Sequence, residues 1–131
     1  MKDGLHIGLS EVMTINVTKD MFAQFDGEVV HPVYSTASMV YHMEWVSRKI
    51  LLPFLEDHEE GMGAAVHMQH VAPSGGNSKV TLTATVTTIT ERSLVTEVIV
   101  MNELGLIGRG EVKQAVLPKE VIAKKVLATN N

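Results

Sequence analysis

The chain has 131 residues, 45% hydrophobic and 20% charged, the size and balance of one compact domain over residues 1–131. Eleven Lys and Arg against fifteen Asp and Glu give a formal charge of -4 with neither sign gathered into a block, which argues against a nucleic-acid or anionic-membrane footprint. With no cysteine, thiol catalysis, disulfides and thiolate metal sites are excluded.

The first residues, Met1-Lys2-Asp3-Gly4-Leu5-His6, lack the apolar run of a signal peptide, and no stretch of about 18 apolar residues occurs, so a cytoplasmic protein without a membrane span is expected. Residues 12–17 alternate, with Met13, Ile15 and Val17 on one side and Thr14 and Asn16 on the other, the period of a half-buried strand. Residues 18–34, with Gly27 and Pro32, read as a long loop or a loop with one helical turn. From residue 38 to about 52 the period changes: Met39, Val40, Met43, Val46, Ile50 and Leu51 recur at three- and four-residue intervals, predicting one long helix. Ser35, Thr36 and Ser38 supply candidate N-caps, and Pro53 ends or bends the helix. The acidic residues Glu56, Asp57, Glu59 and Glu60 read as a solvated connection.

Strand-like segments then follow at residues 63–72, 79–91, 93–102 and 105–117, with joints short enough for antiparallel neighbours. Residues 118–127 suit a short helix with Val121, Ile122 and Val126 inward. One strand, one long helix and four antiparallel strands make an α+β arrangement, most economically a curved antiparallel sheet wrapped around the helix, the hotdog architecture. An edge strand would remain uncovered, so a homodimer is expected.

Glu44 interrupts the flank of the helix's apolar stripe. It reads either as a surface glutamate with its stem along apolar neighbours or as a partly desolvated carboxylate able to act as base or nucleophile. His70 shares the apolar face of its strand with Ala64, Val66, Met68 and Ala72, which suits a core-edge histidine as well as a catalytic one. The odd separation of His67 and His70 sends them to opposite faces, and no other histidine pair has metal-site spacing, so no metal is expected. Thr36, just before the helix, is a cap or a group at a converging set of backbone N–H donors. No Gly-x-Ser-x-Gly elbow, phosphate loop or dinucleotide fingerprint occurs.

Nearly the whole chain resembles the hotdog-fold thioesterases of the fluoroacetyl-CoA thioesterase type. The most specific segments are Ser35-Thr36-Ala37-Ser38-Met39-Val40, Met43-Glu44-Trp45, residues 63–70, Gly108-Arg109-Gly110 and Gln114-Ala115-Val116. The resemblance implies a catalytic Thr, Glu and His, the glutamate eight residues after the threonine and the histidine 26 after the glutamate. Thr36, Glu44 and His70 satisfy both spacings. It also places Gly63 at the acyl pocket, where a backbone N–H meets the thioester carbonyl. Phe22-Ala23-Gln24-Phe25 resembles an aromatic patch over that pocket. Extra residues including His31-Pro32 separate the patch from Thr36, so fluoroacyl selectivity is not implied.

The implied reaction is hydrolysis of a small acyl-CoA, with coenzyme A as part of the substrate and no separate cofactor. Glu44 attacks the carbonyl or activates water, Thr36 positions or polarises, and His70 holds the water or leaving group. Val40 and Met43, with Ala64, Val66 and Met68, are the expected aliphatic pocket walls, with Phe22 and Phe25 closing over them. Arg109 and the Ser74-Gly75-Gly76-Asn77 turn are the candidates for the CoA phosphates. The competing readings are a non-hydrolytic acyl-CoA binding or sensing module on the same fold, and a hotdog dehydratase or hydratase.

Overall fold

The computed structural model describes residues 1–130. The chain runs β1 (Ser10–Asn16), β2 (Phe22–Phe25), β3 (Glu28–Tyr34), α1 (Thr36–Leu51), β4 (Glu59–His70), β5 (Lys79–Thr90), β6 (Ser93–Asn102), β7 (Gly105–Pro118) and α2 (Lys119–Thr129). Five strands form one antiparallel sheet in the order β1-β5-β6-β7-β4, and α1 packs against its inner face, touching every strand. This is the expected hotdog arrangement.

Period-2 patterning sets which side chains meet the helix. Val80, Leu82, Ala84 and Val86 of β5, Leu94, Val98 and Val100 of β6, and Ile107, Val112 and Val116 of β7 are all buried. They meet Met39, Met43, Val46, Ile50 and Leu51 of α1, the stripe read from the sequence. Full burial of the Val, Leu, Ile and Met side chains among them contributes roughly 1.5–3 kcal/mol each. The Ser35 hydroxyl caps α1 by accepting from Ser38 N–H at 2.9 Å, and Arg48 and Lys49 sit in its last turn, where cations offset the helix dipole. Pro53 tightens residues 52–54 into a 3-10 turn.

Three expectations are corrected. Residues 18–34 are not a long loop: after a 3-10 turn at Lys19–Met21, β2 and β3 form a hairpin. Asp26 and Gly27 turn it with φ of 52° and 80°, the conformation an Asp-Gly turn favours. The acidic connection is partly strand, since β4 begins at Glu59. In α2, Val121 and Val126 are exposed and Ile122 only half-buried, because the helix touches little beyond β7. Among the described residues no helix is long and apolar enough to cross a membrane.

Two features of β4 position the site. Gly110 lets β7 approach it closely, since a Cβ there would lie 2.1 Å from the His67 carbonyl oxygen. None of the twelve residues of β4 is buried, although its inner face looks toward α1, and its far side is a free sheet edge.

Candidate active site

The turn from β3 into α1 places Thr36 at the first helical position, and the end of β4 brings His70 to it: Thr36 Oγ1 and His70 Nδ1 are hydrogen-bonded at 2.9 Å. His70 Nε2 is buried with no partner, while Thr36 is exposed, so the hydroxyl is the part of the pair open to a ligand. The ring edge of Tyr34 backs the histidine, with centroids 6.4 Å apart. Tyr34 is fully buried and its hydroxyl meets His42 Nδ1 at 2.7 Å. Burial raises the Tyr34 phenol above its ordinary range and lowers the His42 imidazole, so both stay neutral near pH 7.

Two turns further along α1, Glu44 faces β4 at Gly63. A Cβ at Gly63 would meet Glu44 Oε1 at 2.9 Å, so the missing side chain is what admits the carboxylate. Gly61, on the same side of β4, removes a second side chain whose Cβ would lie 2.7 Å from Leu51. The space left is a cavity of about 330 Å³ lined by Tyr41, Glu44, Trp45, Arg48, Gly61, Gly63, Val112 and Gln114. Arg48 is paired with Glu60 at 2.9 Å, which holds the Glu60 carboxyl below the usual range, and also reaches the Gly61 carbonyl at 3.4 Å. Gln114 is 4% exposed and donates from Nε2 to the Ser47 carbonyl at 3.1 Å. Beneath it, the Ser47 hydroxyl donates to the Met43 carbonyl at 2.8 Å and lies 2.7 Å from Thr96 Oγ1.

The two halves lie apart in one chain. Eight residues of helix separate Thr36 from Glu44, an axial rise of about 12 Å and a turn of roughly 80°. Among the described residues no hydrogen bond joins Glu44 to Thr36 or His70.

Of the expected binding residues, Gly63 alone borders the Glu44 cavity. Met43 is fully buried in the core and Val40 half-buried, because the apolar stripe faces the sheet interior rather than the gap opened by the glycines. The ring of Phe22 packs over Gly76, where a Cβ would meet it at 3.2 Å, and Phe25 stands 77% exposed beside the hairpin turn. Arg109 pairs in register with Gln69 and Ile99 on the outer face of the sheet, opposite the side that carries His70. The Ser74–Asn77 turn is held by Tyr34 N–H donating to the Ser74 carbonyl at 2.7 Å and Ser78 N–H to the Gly75 carbonyl at 3.2 Å. No group of three or more metal-ligating side chains occurs among the described residues.

Sequence reasoning missed Tyr41, Arg48, Gly61 and Gln114. The first two lie at i-3 and i+4 from Glu44, and Gly61 lies two residues before Gly63. Gln114 is a polar residue between Val112 and Val116 on an otherwise apolar strand face.

Residues 17–120 match the family model described as fluoroacetyl-CoA-specific thioesterase. The fluoroacetyl-CoA thioesterase of Streptantibioticus cattleyicolor is 28% identical over 137 aligned positions, covering 96% of this chain and 95% of the relative. Among solved structures, a Thermus thermophilus hypothetical protein described as a thioesterase superfamily member is 37% identical, with a TM-score of 0.90 over 96% of this chain and 93% of that one. The fluoroacetyl-CoA thioesterase structure superposes with a TM-score of 0.90 at 26% identity, over 98% of this chain and all of the other.

Proposed function

This chain belongs to the fluoroacetyl-CoA-specific thioesterase family and is a thioester hydrolase acting on acyl-CoA, and we propose that it cleaves a small acyl group with Glu44, Thr36 and His70. The observation that carries the site assignment is the Thr36–His70 hydrogen bond, which engages one ring nitrogen and leaves the other buried and unpartnered. A proton on Nδ1 donated to Thr36 Oγ1 leaves the hydroxyl's own hydrogen free for the ligand and leaves Nε2 an acceptor, the cheaper group to bury unpaired.

Glu44 attacks the thioester carbon or takes the proton of an attacking water, while the Gly63 N–H stabilises the carbonyl oxygen as it becomes negative. The carbon–sulfur bond breaks and the departing thiolate takes the Thr36 hydroxyl proton, which is replaced by the proton Glu44 removed from water, so one water is consumed per turnover and each group returns to its starting state. By the direct route an acyl–Glu44 anhydride forms first and water then cleaves it.

The separation of the two halves supports a homodimer in which each site is shared. Pairing of the free β4 edge with a second copy about a two-fold axis at Val66 or His67 sets Gly63 within one residue of the partner's His70. Glu44 of one copy then faces the Thr36–His70 pair of the other. The exposed aromatic rings of Tyr41 and Trp45, at 60% and 44%, flank that junction. Arg109, on β7 one strand in from that edge and on the outer face of the sheet, is the cation for a CoA phosphate. Thiol release from acetyl-, propionyl-, butyryl- and longer acyl-CoAs tests the reading: activity falls beyond a few carbons, and a steady rise toward long chains contradicts the small pocket.

A further inference from the structure

We propose that Gln114 is a specificity-determining residue that selects a small acyl group bearing a neutral hydroxyl near its carbonyl. The proposal rests on the Glu44 cavity being the acyl site. Gln114 lies on the cavity floor and is directly opposite Gly63 in the β4–β7 register, so its amide is one strand away from the carbonyl position. The two glycines of β4 uncover it: a Cβ at Gly61 would lie 3.9 Å from Gln114 Oε1.

The hydrogen bonds of this amide leave polar atoms open to the cavity. One N–H of Nε2 is used on the Ser47 carbonyl, while among the described residues no donor reaches Oε1. A primary amide has two N–H donors and an acceptor oxygen, so one N–H and Oε1 remain for whatever fills the cavity. The Ser47 carbonyl belongs to the backbone of α1, so the hydrogen bond from Nε2 holds the amide at the cavity rather than leaving it free to turn away. An alkyl acyl group filling the same space would strip water from these atoms and return nothing. A hydroxyl is the smallest group that answers both, donating to Oε1 and accepting from Nε2.

The charges around the cavity argue for a neutral substituent. The Glu44 carboxylate faces the cavity, and the Arg48 guanidinium is already paired with Glu60, so an acyl group ending in a carboxylate meets an anion with no spare cation.

The test compares kcat/KM for 2-hydroxybutyryl- and 3-hydroxybutyryl-CoA with that for butyryl-CoA in the wild type, Gln114→Met and Gln114→Leu. A hydroxyacyl ester is preferred by about 10- to 100-fold in the wild type, and the preference disappears in Gln114→Met. A Gln114 that only anchors α1 through Ser47 would lower all three substrates together and leave their ratio intact, which overturns the proposal. Equal kcat/KM values in the wild type overturn it without any variant. Calorimetric titration of the same esters separates this idea from the thioesterase reading. Preferential binding of a hydroxyacyl ester without thiol release defeats hydrolysis and keeps the selectivity. Hydrolysis with no preference in rate or binding does the reverse.

Discussion

Replacing Gly63 with alanine separates chemistry from stability. The new methyl would lie 2.9 Å from Glu44 Oε1, where ordinary contact begins at 3.4 Å, so the carboxylate oxygen must retreat by about 0.5 Å. Glu44 is an exposed, flexible side chain, and Gly63 lies outside the left-handed region, so the backbone accepts alanine. The folded state then gives up little, while the unfolded chain loses about 0.4–1 kcal/mol of conformational freedom, leaving stability level or slightly higher. Catalysis is less tolerant: a misplacement of this size costs about 10- to 100-fold in kcat, roughly 1.4–2.7 kcal/mol in the barrier. Gly110→Ala is the contrasting control. Its methyl would meet the His67 carbonyl oxygen at 2.1 Å and Met68 Cβ at 2.6 Å, so β4 and β7 would have to part, at a cost of about 3 kcal/mol. Thiol-release kinetics and urea unfolding on both variants check the pair of outcomes. A Gly63→Ala enzyme with kcat within about twofold of wild type would refute the placement of Glu44 over Gly63 as the reacting geometry.

Glu44→Gln keeps the shape of the proposed nucleophile or base but not its carboxylate, so thiol release falls about 10²- to 10⁴-fold with an unchanged unfolding midpoint. Sedimentation at micromolar concentration gives twice the chain mass; a monomer contradicts pairing of the β4 edge. Arg109→Ala raises KM for acyl-CoA with kcat retained, the signature of lost uniform binding, and an unchanged KM removes Arg109 from the CoA site. Because burial lowers the pKa of His42, the unfolded state takes up its proton first on acidification. The contribution of neutral His42 is therefore complete above about pH 6.5 and is lost as pH falls toward the folded pKa, by at most about 1.4 kcal/mol per pH unit. Urea unfolding at pH 7 and pH 5 shows a smaller loss in His42→Gln than in wild type.

The main sheet and α1 were legible because their periods are long and clean: β6 was placed at its observed bounds, and the helix stripe from Met39 to Leu51 packs as its spacing requires. The hairpin at residues 22–34 hid behind irregular register, with shifts on both sides of Ala23 that break the alternation, although Asp26-Gly27 was its strongest local mark. The outward side of α2 has a physical cause too, since its apolar residues follow a helical period but too little of the chain lies beside them. At the site, the family resemblance linked Thr36, Glu44 and His70, but linear spacing could not show that Thr36 and His70 meet while Glu44 stands two helical turns away. The cavity wall depends on β4–β7 register, which joins Gly63 to Gln114 across 50 residues of chain and leaves no short-range trace.

Subunit complementation tests the shared site most directly. Glu44→Gln and His70→Ala variants are each inactive as pure proteins, and mixing them one to one under conditions that allow subunit exchange forms mixed dimers. In each mixed dimer, one site combines an intact Glu44 with the intact Thr36–His70 pair of the other copy. Thiol release by the mixture therefore rises to about a quarter of the wild-type rate, half the dimers carrying one working site of two. A mixture that exchanges subunits yet stays as inactive as its components contradicts a site shared between copies.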